Sequence, residues 1–309
     1  MSVRDLTILG SSSQQPTRMR NHGAYLLRWN TEGFLFDPGE GTQRQFIHAG
    51  IAPPTVTRIL ISHFHGDHCL GFGSMLMRLN LDEVKHEIHC YFPKSGKKFF
   101  DRLRYGTIYH DRLTVIEHPI EEAGIVHDDG SFIISAEFLD HGVDNIAFRV
   151  QEKDERKYFK DKLEALAIKG EKMRQLREEK KVEIDGKIIY QDEVSYLRKG
   201  DSFVYISDTK ECEGAERIAK GATMLLCEST YLDEAKEMAR KHQHLTAKQA
   251  AAIAARAEVD TLILTHFSAR YLNLSLFEAE AREVFPNTYV AEDFKQFFFK
   301  KSCVSQDVY

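Results

Sequence analysis

Residues 58–68 read RILISHFHGDH. The run Arg58-Ile59-Leu60-Ile61 is apolar and strand-sized, and the loop after it carries His63, His65, Asp67 and His68, four potential metal ligands in six positions. A loop at the end of a buried strand can turn all four inward together. His63 and His65 can then bind one ion, while Asp67 and His68 reach a second one nearby. Imidazole nitrogen and carboxylate oxygen together suit zinc in an open catalytic site. A surface cluster of histidines needs no such strand in front of it, and H-x-H-x-D-H directly after one is rare by chance.

Two cations a few ångströms apart need more ligands than one loop offers, and a carboxylate to bridge them. Three further positions close apolar strands: His141 in AEFLDHG, Asp208 in FVYISDT and His266 in LILTHF. Each by itself reads as a cap, a turn residue or a core histidine. All three in strand-end positions, in a chain already carrying the loop, complete a seven-ligand set. Aspartate has two oxygens that can face different ions, so the bridge is assigned to Asp208. His22, His48, His86, His89, His110, His118, His127 and His242 lack this context and read as surface or loop residues, with His22 set apart by its closeness to the loop Pro16–Asn21.

Around these positions, short runs rich in β-branched and aromatic residues recur: LTILG, AYLLRW, FLFD, EIHCYF, SFIISAEFL, NIAFRV, SFVYIS and MLLCES. They have the length and composition of strands. Helical spacing lies between them at 71–81, 96–104, 214–221, 246–257 and 276–284, with Thr246 placed as an N-cap. This order predicts an α/β protein with sheets packed together and helices outside. The chain has 309 residues, of which 42% are apolar, enough for a full core. Neither a basic-then-apolar leader nor 18 consecutive apolar residues occurs, so no signal peptide and no membrane span are expected. Cys69, Cys90, Cys212, Cys227 and Cys303 are odd in number and lack C-x-x-C spacing, as expected of reduced thiols in a cytoplasmic protein. A net charge of −5 excludes a global attraction to nucleic acid and leaves any polyanion to local basic surface.

One segment supplies such surface. Between Lys153 and Lys181, 18 of 29 residues are charged, with a net balance of +4. Phe159, Leu163, Leu166, Met173 and Leu176 recur as on one face of a helix. The segment reads either as a solvated helix or as a projecting arm that grips an anion. DGKIIYQ after it reads as a turn and a strand returning to the body, which bounds the insertion at 153–195 in a single domain of residues 1–309.

His63-Phe64-His65-Gly66-Asp67-His68, with His141, Asp208 and His266, resembles the metallo-β-lactamase superfamily, which implies an αββα sandwich with metals at one edge. Further motifs resemble the ribonuclease Z family, the tRNA 3′-processing endonucleases of short form. Pro16-Thr17-Arg18-Met19-Arg20-Asn21 is similar to its P-x-K-x-R-N loop, with arginine in the lysine slot. Asp208-Thr209 is similar to G-D-T, with Ser207 for glycine. Cys227-Glu228-Ser229-Thr230 is similar to H-E-A-T, with cysteine for histidine. His244-Leu245-Thr246 matches H-x-[ST], and residues 265–271, THFSARY, resemble T-H-F-S-x-R-Y. The resemblance runs from about residue 5 to 294. It implies a zinc-dependent phosphodiesterase with two ions per subunit that removes the 3′ trailer from precursor tRNA, acting as a homodimer. It also implies that the charged insertion is the arm that grips tRNA. The glycine-proline element usual there is absent, and Ile168-Lys169-Gly170-Glu171 stands in its place.

Hydrolysis of a phosphodiester needs an activated water, neutralised phosphoryl oxygens and a stabilised leaving oxygen. Zinc lowers the pKa of bound water from about 15.7 toward about 7. Asp67, on the second ion, is placed to take the proton as general base. The resemblance implies His244, oriented by Glu228, as proton donor to the ribose 3′-oxygen. It also implies substrate contacts by Arg18, Arg20, Thr246, Ser268 and Arg270; guanidinium suits phosphate bidentately. A small-molecule ester or thioester hydrolase, a di-iron redox protein and a catalytically dead nucleic-acid scaffold are the competing readings.

Overall fold

In the computed structural model, which describes residues 4–299 and the backbone of 304–307, the short strand Arg58–Leu60 is buried on both faces. Leu60 points into the layer between two sheets, and Ile59 points to the outer helices, as the two-residue period of a strand requires. The same split runs through its neighbours. Leu27, Phe34 and Phe36 face the sheet–sheet core, whereas Leu26 and Leu35 face helices.

One sheet has eight strands, in the order Val304–Asp307, Gln296–Phe299, Arg4–Gly10, Ala24–Trp29, Glu32–Phe36, Arg58–Leu60, Ile88–Pro93 and Val115–Ile120. The other has seven, in the order Thr288–Val290, Leu262–Thr265, Met224–Glu228, Ser202–Ile206, Asp144–Glu152, Phe132–Asp140 and Gly124–Asp128. Pairing is parallel from Glu32–Phe36 through Val115–Ile120, and from Ser202–Ile206 through Thr288–Val290. The remaining pairs of each sheet are antiparallel. Phe36 packs at tilted and edge-on angles against Phe148, Phe203 and Tyr205 across the interface, with centroids 5.3–6.3 Å apart. Helices Phe72–Leu81 and Lys97–Tyr105 cover the first sheet, while Glu213–Ala219 and Ala247–Arg256 cover the second. This is the expected αββα sandwich. Parallel strands run with their C-terminal ends together, so the loops after Leu60, Ile206, Glu228 and Thr265 open on one edge.

The charged insertion departs from a continuous helix. It forms two short helices, Lys160–Ala165 and Glu171–Glu179, separated where Ala167 and Gly170 take positive φ (47° and 57°). The hairpin Lys181–Ile184 with Lys187–Tyr190 follows, turning at Asp185-Gly186. The periodicity of Leu163, Leu166, Met173 and Leu176 is real but serves a local core. These side chains pack with Ile168, Val182, Ile184 and Val194 in a cluster distinct from the two main ones. Phe159 packs at a tilt against Tyr196, 5.1 Å between centroids, instead. The insertion is rooted by the antiparallel strands Glu155–Tyr158 and Ser195–Arg198, so its return passes through a strand beyond the expected end at 195. Cys69, Cys90, Cys212 and Cys227 are free thiols; Cys303 lies outside the described residues.

Candidate active site

The loop after Leu60 delivers its ligands by ending the strand abruptly. Gly66–Cys69 is a single helical turn, which carries Asp67 and His68 inward. Gly39 lies so close beneath that a Cβ there would meet the Asp67 carbonyl at 2.3 Å, so glycine is required at this contact. Two other site positions hold the left-handed backbone that non-glycine residues avoid: Asp37 (φ 42°) and His266 (φ 62°). Each such residue costs about 1–3 kcal/mol and persists where the surroundings force it.

The seven residues named from the sequence converge at this edge in two groups of four. His63, His65, His141 and Asp208 form one; Asp67, His68, Asp208 and His266 form the other, with the donor atoms of each group within 4.8 Å of one another. Asp208 belongs to both. Its Oδ2 lies 3.5 Å from His141 Nε2 and 3.3 Å from His68 Nε2, and its Oδ1 lies 3.2 Å from His266 Nε2. The far nitrogen of three of these imidazoles is anchored outside the cluster. His68 Nδ1 pairs with Asp37 Oδ2 at 2.8 Å, His141 Nδ1 with the Gln243 carbonyl at 2.9 Å, and His266 Nδ1 with Thr230 Oγ1 at 2.9 Å. Anchoring one nitrogen aims the other at the centre, as metal-binding histidines require.

Electrostatics fit a cation. Burial depresses His63 well below its ordinary value, which keeps it neutral as a ligand must be. Burial also opposes a charge on His68, but the Asp208 and Asp67 carboxylates overcome it and raise His68 well above the usual value, so these carboxylates draw positive charge to the centre, which a cation would supply while leaving His68 neutral. Asp208 is driven the other way: burial works against its charge, yet His266, His68 and His244 hold it ionised. His68 Nε2 and Asp208 Oδ1 are buried with no hydrogen-bond partner. Unpartnered buried donors and acceptors are costly, and an ion held between these groups would satisfy both. The donor set of imidazoles and carboxylates fits zinc.

Asp37, at the end of FLFD, is the residue that motif reading passed over. Its Oδ2 accepts from Ser62 Oγ (2.6 Å) and Tyr205 Oη (2.7 Å) besides holding His68, and its Oδ1 accepts from Ser62 N (2.6 Å). Ser207, in the glycine slot, joins this network through Ser62 Oγ at 3.0 Å. A strand-end aspartate in front of the ligand loop was the available signal.

Beside the cluster, His244 Nδ1 lies 3.0 Å from Glu228 Oε1. Glu228 is fully buried and further accepts from Thr209 N, Thr230 N and Thr230 Oγ1 at 2.8–3.0 Å, so its orientation is over-determined. Burial depresses His244, but Glu228 and Asp208 outweigh it and push the imidazole up to about 9. An open cleft of about 640 Å³ is lined by Asp67, His244, Tyr231, Ser268 and Arg270. Arg270 lies 5.3 Å over the Tyr231 ring. His242, read as a surface residue, also lines it.

Two expected substrate contacts have other tasks. Thr246 is buried and caps the helix Ala247–Arg256, its hydroxyl accepting from Gln249 N in a capping box. Arg20 is 6% exposed, and its Nη2 donates to the Ser268 and Tyr271 carbonyls (3.3 and 2.9 Å), tying the Pro16–Asn21 loop to the cleft wall. Asp293 braces the same loop, accepting from Asn21 N at 2.7 Å, and burial raises its carboxyl to about 6. Arg18 lines a shallow pocket with Arg44 and His48. Among the other histidines, His22 is buried with Nε2 3.0 Å from the Gln14 carbonyl, and His118 stacks on Tyr91 at 4.4 Å.

The beta-lactamase superfamily domain matches residues 33–267. The chain is 64% identical to ribonuclease Z of Protochlamydia amoebophila, covering 97% of this chain and 98% of that protein. It is 59% identical to ribonuclease Z of Chlamydia pneumoniae, covering 98% of each. The short form of human tRNase Z superposes with a TM-score of 0.70 at 23% identity, covering 94% of this chain and 98% of that one, a likeness of fold. A superfamily domain that takes in every position of the histidine–aspartate cluster, and relatives this similar over nearly their whole length, establish that the chain belongs to the ribonuclease Z family of the metallo-β-lactamase superfamily.

Proposed function

We propose that this chain is a zinc-dependent endoribonuclease that removes the 3′ trailer from precursor tRNA and leaves a 3′-hydroxyl on the tRNA. The observation that carries the reading is His244, held by the buried Glu228 and opening into the same cleft as Asp67, His65, His141, His266 and the Asp208 that two four-residue groups share. His63, His65, His141 and Asp208 would hold one zinc ion; Asp67, His68, Asp208 and His266 would hold the other. When bound, the ions acidify water and neutralise phosphoryl oxygens. The chain's own groups move the protons. Asp67 accepts one from the attacking water, whose oxygen joins phosphorus. The P–O3′ bond breaks, and His244 donates a proton to the departing ribose oxygen. The phosphate stays on the trailer. Ser268 and Arg270 line the wall where RNA would lie, and Arg18 stands at the loop beyond.

The test is cleavage of a precursor tRNA by the purified protein after metal removal and zinc restoration. Activity that returns with about two zinc equivalents and yields a tRNA 3′-hydroxyl is the expected result. Failure to cut precursor tRNA, with the metal restored, overturns the reading.

The insertion at 153–195 acts in this reading as a tRNA-gripping arm on a single domain. Over its full length it holds 12 basic and 11 acidic residues, so local placement matters more than net charge. Lys169 and Lys172 flank the exposed turn between the two helices and form no ion pair among the described residues. Replacing residues 156–197 with a short linker is expected to preserve zinc content and hydrolysis of bis(p-nitrophenyl) phosphate within about twofold. Precursor tRNA should bind at least about tenfold more weakly, with a shallower salt dependence, since each lost phosphate contact removes about 0.7–0.9 from the log–log slope. Titration at several salt concentrations checks both. A homodimer, in which one subunit's arm meets tRNA held by the other, is part of the same proposal. No helix among the described residues is long and apolar enough to cross a membrane.

A further inference from the structure

His65 has two sides. One lines the catalytic cleft, and the other lines a second cavity of about 400 Å³, walled by Phe64, Pro93, Gly96, Phe99 and Val143. That volume is within the range of small-ligand sites. The cavity depends on local sequence. A Cβ on Gly96 would meet the Phe64 ring at 2.1 Å, so the missing side chain lets that ring approach the backbone closely. Phe64 and Phe99 are inclined by only 33°, with centroids 6.0 Å apart. Phe99 is 39% exposed and Val143 is 44% exposed, so both present apolar surface to the cavity.

The rim carries cations. Lys98 Nζ lies 4.8 Å from the Phe99 centroid, and the Arg102 guanidinium lies 5.9 Å from it. Neither forms an ion pair among the described residues. Asp144 also lines the cavity and is the opposing charge. An aromatic face flanked by free cations is the pattern that binds unpaired nucleotides: the base stacks, and the phosphates meet lysine and arginine.

Resting on the endoribonuclease reading, we propose that this cavity is the stacking subsite for the first unpaired bases of the trailer. Protonation of O3′ places the tRNA's terminal nucleoside against His244, together with Tyr231 and Arg270. The trailer nucleoside is joined to the same phosphorus through O5′ and must leave in another direction. Past His65, that direction enters the cavity, where Phe99 and Val143 present an apolar face and Lys98 and Arg102 meet the next phosphates. Phe99 is thereby a specificity-determining residue for the trailer, with no part in bond cleavage.

The test pairs protein and substrate changes. Two precursor tRNAs share one body, but in one of them the first two trailer nucleotides are abasic. The wild-type enzyme is expected to lose about tenfold in kcat/KM on the abasic substrate, within the range of base–aromatic stacking. Phe99→Ala should cut both substrates equally, at the lower rate, and Phe99→Tyr should restore the preference. Hydrolysis of bis(p-nitrophenyl) phosphate and binding of mature tRNA should be unchanged in both variants. An abasic penalty that persists undiminished in Phe99→Ala, or is absent in the wild type, overturns the proposal. So does a Phe99→Ala protein whose number of subunits per particle in solution changes while its trailer preference does not, since the face would then be a subunit contact. A wild-type enzyme that hydrolyses the small phosphodiester but cuts neither precursor refutes the endoribonuclease reading itself, and is thus distinct from every result above.

Discussion

Asp208→Ala is expected to strip metal from both sites at once and to reduce turnover to background. Every other ligand belongs to one of the two four-residue groups, whereas Asp208 belongs to both. Removing its carboxylate leaves His68, His141 and His266 facing one another without the charge between them. His141→Ala and His266→Ala should each lose mainly one ion. Elemental analysis under saturating zinc separates the cases: about two equivalents for the wild type, about one for each histidine variant, and less than one for Asp208→Ala. The backbone there is held independently, because Asn145 Nδ2 donates to the Asp208 carbonyl, so a folded, metal-poor variant is the anticipated species. Far-ultraviolet circular dichroism verifies it. A wild-type protein that saturates at one equivalent would refute the shared-ligand arrangement.

His244→Ala should retain both ions and slow turnover by about 10²–10⁴-fold, the range for loss of a general acid. The pH profile gives an independent readout. The donating form is the protonated one, present below the folded-state pKa, so turnover should decline as pH rises through it. Burial favours the neutral ring, while Glu228 and Asp208 push its pKa up to about 9. Glu228→Gln removes one of the two carboxylates, so the alkaline limb should move to lower pH. The amide also turns an N–H toward the Thr209 or Thr230 donors, which should cost about 1–3 kcal/mol of stability. A metal-replete His244→Ala enzyme with unchanged turnover would remove this residue from the mechanism.

Much of the architecture was legible in the chain because it is written in local pattern. Each of the apolar runs from LTILG to LILTHF is a strand, since alternation and β-branched content report a buried pleated surface. Several strands that escaped notice lack that signal. Val115–Ile120 and Gly124–Asp128 are mostly half-buried or exposed edge strands, and Lys181–Ile184 begins and continues with charged residues in a hairpin whose core is its own. Long-range pairing makes them strands, and pairing partners leave no mark in a single segment. The arm shows the same limit. Its apolar spacing announced a helix, but the positive φ at Ala167 and Gly170 folds that helix back on itself.

By itself, the sequence determined which residue types stand at strand ends, and so the candidate ligands His63, His65, Asp67, His68, His141, Asp208 and His266. Tertiary structure alone decided that His141 joins His63 and His65 while His266 joins Asp67 and His68, because distance between strand ends depends on sheet order, which no local pattern encodes. It also decided which polar groups are free to act. Thr246 and Arg20 sit in motifs that suggest contact with substrate, yet one caps a helix and the other is held by two carbonyls. Asp37 sits in no such motif, yet it is enclosed by His68, Ser62 and Tyr205. A buried polar side chain must find partners, and packing chooses them.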